Sequence, residues 1–133
     1  MTPEERFATV RVARLATVDQ SGAPHIVPIT FALEGSRIVT AVDHKPKRSS
    51  RLKRLDNIAA EPRVAVLADH YDEDWSRLWW VRADGLAASI EPGDPRHQEA
   101  VALLAAKYEA YREHPIAGVV IDIRVTGWSE WSS

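Results

Sequence analysis

The densest chemistry in this chain lies between residues 45 and 54, KPKRSSRLKR, where six cations stand without a single acid. Such a segment attracts an anion. Ser49 and Ser50 sharpen the reading, because either can cap a helix start. A hydroxyl, the free N–H groups of a first turn and the helix dipole together make a seat for a phosphate. Lys45, Lys47 and Arg48 precede that start and can converge on one phosphate. Arg51 and Arg54 share one helix face, Lys53 and Asn57 another. A charge run is ordinarily a solvated face; the paired serines favour the anion seat.

A second concentration is Asp69 to Trp80, DHYDEDWSRLWW. Asp69, His70, Asp72, Glu73 and Asp74 lack the glycine and terminal glutamate of a calcium loop, and His70 alone is a poor zinc site. The stretch reads as a solvated acidic turn with no metal. All five tryptophans fall in two stretches, Trp75, Trp79 and Trp80, then Trp128 and Trp131. On a strand Trp79 and Trp80 face opposite sides, so core packing accommodates one and leaves the other for a ligand or a second subunit. His25, His44, His97 and His114 show no ligand spacing. There is no cysteine, and no nucleophile or dinucleotide motif. If the chain is an enzyme, a cofactor carries the chemistry.

These residues need elements to hold them. Thr2, Pro3, Glu4 and Glu5 read as a helix start, with Phe7 and Val10 on its buried stripe. Strands are predicted at Ala13–Val18, Pro24–Leu33, Arg37–Val42, Arg63–Ala68, Leu78–Ile90 and Val119–Val125. Asp19–Gly22 and Glu34–Ser36 are the hairpin turns. Pro28 predicts an edge strand or bulge, and Gly85 a bend. Helices are predicted from Ser49 or Ser50 to about Ala60, and from Pro95 to about Arg112. Six strands in hairpin order, with helices in the gaps and no βαβ unit, predict a mainly β fold with flanking helices: a small antiparallel barrel.

The 133 residues fit one domain, 1–133, and a core this small gains from pairing with a second copy. Met1–Arg14 carries no apolar run long enough for a signal peptide or membrane span, so cytoplasmic residence is the expectation. Net charge is −2; outside the basic segment the chain holds 11 basic and 19 acidic side chains. That balance disfavours nucleic acid, which needs a broad basic face, and suits a compact anion.

Leu15–Val18 with Gly22–Phe31 resembles the first hairpin of the pyridoxamine phosphate oxidase-like split-barrel flavoproteins. Asn57-Ile58 with Glu61–Val64 is similar to their helix-to-strand join. Asp69–Gly85, DHYDEDWSRLWWVRADG, resembles a deazaflavin (F420)-dependent branch. The resemblance implies a six-stranded antiparallel split β-barrel of the FMN-binding-protein type, working as a homodimer with cofactor sites between the subunits. It implies that Val27, Pro28, Ile29 and Thr30 line the cofactor ring, and that Lys47, Arg48, Ser49, Lys53 and Arg54 lie near its phosphate. It puts Trp79 or Trp80 by the cofactor or across the interface. Hydride transfer to an unsaturated or conjugated organic substrate is the implied reaction, with His25 and Tyr71 as candidates for proton delivery. The chain is shorter than the vitamin-phosphate oxidases and lacks an arginine-rich C-terminal substrate segment, which makes F420 the first cofactor expected and FMN the second. A non-catalytic cofactor-binding module and an RNA-binding barrel are the alternatives from other classes.

Overall fold

The computed structural model describes residues 1–42 and 48–133, with side chains throughout except at 48–52. The helix start is as the sequence predicts: α1, Pro3–Ala8, is capped by a reciprocal Thr2–Glu5 box and buries Phe7. The strands are β1 Ala13–Val18, β2 Pro24–Ile29, β3 Ala32–Glu34, β4 Arg37–Ala41, β5 Arg63–His70, β6 Trp79–Ile90 and β7 Val120–Ser132. The longer helices are α2, Arg48–Ala60, and α3, Pro95–Lys107; the short α4 covers Glu109–Glu113.

All strands join one antiparallel sheet in the order β2-β1-β5-β6-β7-β4-β3. β2 and β3 are its two edges, yet Ile29 and Ala32 are three residue steps apart, a reach of at most ~11 Å. The sheet therefore rolls until its edges approach without pairing. This is a barrel left open, with seven strands among the described residues where six were expected. The extra strand arises because Pro24–Leu33 breaks at Thr30-Phe31. The Phe31 N–H donates to the Tyr108 hydroxyl at 3.1 Å rather than to a ladder. That hydroxyl donates to the Arg11 carbonyl at 2.8 Å, with the Phe31 carbonyl 3.1 Å away.

Tyr108 also corrects the long C-terminal helix. Its backbone is extended (φ −119°, ψ 120°), which separates α3 from α4. β7 runs seven residues beyond the predicted Val125 because β6 pairs with it as far as Trp79↔Ser132. The register shifts at Asp84/Gly85, leaving Thr126 as the bulged residue. A Cβ on Gly85 would stand 2.6 Å from the Arg124 carbonyl, so glycine is required there. Pro28 sits on an edge strand, as its missing N–H demands. α2 already runs at Arg48, which puts Ser49 and Ser50 inside its first turn rather than at a cap.

Two cores hold the molecule. The barrel interior is built from alternate residues such as Leu15, Val66, Val81 and Ile123, closed by Phe7 and Phe31. Outside the sheet, Val39, Ile90 and Val120 pack under Ala100, Leu104 and Tyr108. Among the described residues no helix is long and apolar enough to cross a membrane.

Candidate cofactor-binding cleft

The end of β2, the end of β4, helix α2 and the α4 segment enclose a cleft of about 620 Å³. That lies within the ~300–1,000 Å³ usual for small-molecule sites. β2 contributes Pro28, Ile29 and Thr30; α2 contributes Arg54; Tyr111, His114 and Ile116 form the α4 side. As an edge strand β2 has one side of its backbone without a ladder partner among the described residues. Ile29 is buried and anchors the strand, while Thr30 follows it at the break.

The cleft's polar groups are fixed from far along the chain. The Thr30 and Tyr111 hydroxyls are 2.7 Å apart, and the Thr40 hydroxyl donates to the Thr30 carbonyl at 2.7 Å. Tyr111 stands edge-on to Tyr108, ring centroids 5.7 Å apart. Behind them the Lys107 ammonium lies 3.8 Å from the Phe31 ring centroid and 5.3 Å from that of Tyr108. Burial pushes its pKa down to about 8, with Arg11 adding to the effect, and its Nζ has no hydrogen-bond partner among the described residues. Burial also raises the Tyr108 phenol. The cleft offers one guanidinium, two coupled hydroxyls, an imidazole and an apolar wall at Ile29, Ala41, Val42 and Ile116. Such a set can bind and orient a polar, partly flat ligand with an anionic group.

The cleft thus brings together Pro28, Ile29, Thr30 and Arg54 from the residues singled out in the sequence. Val27 points inward against the barrel core. Lys53, next to Arg54, faces the other way and pairs with Asp19 at 3.6 Å. Lys45 and Lys47 lie outside the described residues, as do the side chains of Arg48 and Ser49. Trp79 packs on the core with the Arg6 guanidinium 5.5 Å from its ring centroid. Trp80 faces outward into a separate groove of about 550 Å³ with Ile26, Leu67 and Tyr71, beside the Arg14–Asp69 pair at 3.5 Å. His25 is half-buried opposite Thr17, with its Nδ1 buried and lacking a hydrogen-bond partner among the described residues.

A larger hollow, about 690 Å³, is ringed by Asp19, Ser21 and Asp56. Hydrogen bonds from Ser21 and Ala23 hold the Asp19 carboxyl at about 2, so it is already satisfied, and the hollow suits no anion. Among the described residues there is no cluster of potential metal ligands. Sequence reasoning missed Tyr111 and His114. Tyr108 and Tyr111 are three apart in a stretch the sequence predicts as one helix, but the helix breaks at Tyr108 and nothing local ties Tyr111 to Thr30.

The family profile described as Pyridoxamine 5'-phosphate oxidase matches residues 3–132. The fold is similar to HutZ, the heme storage protein from Vibrio cholerae (TM-score 0.73, 13% identity, 96% of this chain and 90% of that one). It is also similar to an FAD-binding protein from Mesorhizobium loti (0.70, 17%, 95% and 88%) and to an FAD-binding protein from Mycobacterium smegmatis (0.62, 16%, 96% and 88%). No curated protein matches the sequence.

Proposed function

The chain belongs to the pyridoxamine 5'-phosphate oxidase family, and on that footing we propose that its cleft seats a phosphorylated flavin-type cofactor for redox chemistry on a small organic substrate. One observation carries this reading: the edge of β2 at Pro28–Thr30 and the guanidinium of Arg54 line the same cleft. The residues suit such a group. Pro28 and Ile29 offer a flat apolar ledge, and Arg54 a charge-assisted donor for an anion. When bound, a flavin-type group supplies two-electron hydride chemistry. The protein binds it, fixes its orientation and keeps water from the apolar wall.

Within that class the deazaflavin F420 is the first choice, supported by the tryptophan-rich Asp69–Gly85 segment, and FMN the second. Two FAD-binding proteins of the same fold support flavin as the class. The working unit is a homodimer with its cofactor sites between the subunits. Its contact includes the outer groove beside β2, where Ile26 is 63% exposed and Trp80 half-buried on an apolar floor. One observation favours haem as a second reading, in keeping with HutZ: the His114 imidazole lines the cleft and offers an axial ligand.

Side-by-side titration with F420, FMN and haemin, read by cofactor absorbance and tryptophan fluorescence, decides among them. Arg54→Ala weakens binding of the preferred flavin by about 5- to 100-fold, corresponding to ~1–3 kcal/mol for a charged hydrogen bond. Equal affinity in the variant removes the anion assignment. A Soret band lost in His114→Ala, with no flavin bound, establishes the haem reading instead.

A further inference from the structure

The Thr30–Tyr111 pair holds two hydroxyl protons, and its mutual 2.7 Å bond uses one. Neither hydroxyl has another partner among the described residues, and the Thr30 carbonyl already accepts from Thr40. One proton is therefore left for a third partner, and both residues line the cleft. A hydroxyl that accepts one hydrogen bond donates a stronger one. The pair is also held in place: Tyr111 rests edge-on against Tyr108, which is itself tied to Arg11 and Phe31.

We propose that the Thr30–Tyr111 hydroxyl pair is the substrate anchor of the cleft, and that it takes the carbonyl oxygen of a neutral, conjugated ketone. The pair supplies one donor and no formal charge, which suits an uncharged accepting oxygen better than a carboxylate. Arg54 serves the cofactor's anion, so the substrate keeps a single polar anchor and lays its carbon skeleton on Ala41, Val42 and Ile116. The conjugation rests on the redox reading above. A donor at that oxygen draws electron density from the double bond, the polarisation a two-electron reduction requires.

The test uses 4-(4-dimethylaminophenyl)but-3-en-2-one at up to millimolar concentration. Its near-visible absorption moves to the red when its oxygen accepts a hydrogen bond. The wild-type protein binds it with a red shift, and Thr30→Ser keeps the shift. Tyr111→Phe reduces it, and the double variant Tyr111→Phe/Thr30→Val abolishes it with about tenfold weaker binding. Near-UV circular dichroism checks that the double variant is folded; where it is not, Tyr111→Phe against Thr30→Ser carries the comparison. The proposal is overturned by an unshifted spectrum in wild type, by a shift indifferent to Tyr111→Phe, or by no binding at all. Flavin titration of the same wild-type sample separates the two readings. Flavin binding with an unshifted probe sinks only the anchor, and a shifted probe without flavin binding sinks only the cofactor.

Discussion

Strand β2 serves two regions that differ in kind. At its end, Ile29 and Thr30 meet a cleft whose polar atoms are tied by hydrogen bonds to Thr40 and Tyr111, with Tyr108 behind them. On its outward face Ile26 opens onto a groove floored by Ala16, Ala65, Leu67 and Trp80, where the charges sit at the rim. Directional bonds fix a position to tenths of an ångström and leave defined donors for a ligand. An apolar floor fixes little by itself but gains from whatever area covers it. The first suits recognition of a small molecule, the second a broad contact such as another copy of the chain.

Tyr108 is where that contrast breaks most sharply. Tyr108→Ala removes a buried ring and leaves the Phe31 N–H without its acceptor, so the edge-to-edge connection behind the cleft loosens. Urea denaturation shows a loss of about 3–5 kcal/mol, the usual range for deleting a buried aromatic. A loss under 1 kcal/mol means the Phe31 crossover is held by something else.

The outer groove behaves oppositely. Ile26→Glu costs the isolated fold little, about 0.5 kcal/mol or less at so exposed a site, but places an unpaired charge in the proposed dimer contact. Light scattering at micromolar concentration gives a dimer for the wild type and a monomer for the variant. A wild-type monomer, or a variant that remains dimeric, moves the contact elsewhere.

The smallest effect sharpens the cleft side alone. The Lys107 amine drops from its ordinary 10.5 to about 8 on folding. Between those values the unfolded chain binds more protons, so stability rises with pH across that window. The penalty of burying the charged form is fully present below pH 8. The raised Tyr108 phenol acts the other way only near and above its ordinary 10, which leaves pH 8–10 as the clean interval. Lys107→Met flattens the rise in melting temperature there; an equal rise in the variant assigns it to other groups.

Much of the fold was legible along the chain because its causes are local. The Thr2–Glu5 box, the β1–β2 hairpin, the bend at Gly85 and the edge position implied by Pro28 each follow from a few neighbouring residues. The opposed faces of Trp79 and Trp80 follow from strand alternation. The break at Thr30-Phe31 was not legible, since Val27 through Leu33 carries no glycine or proline after Pro28 and the acceptor for Phe31 lies 77 positions away.

The amino-acid order by itself determined where most of the strands and turns begin, which faces are apolar, and that cations concentrate around the start of α2. Only the tertiary structure decided that Arg54 lines the cleft while Lys53 turns to Asp19, and that Thr30 meets Tyr111 across 81 positions. The physical reason is range. Backbone sterics and side-chain periodicity act over a few residues, whereas a site gathers groups whose meeting depends on strand order and on how far the sheet rolls.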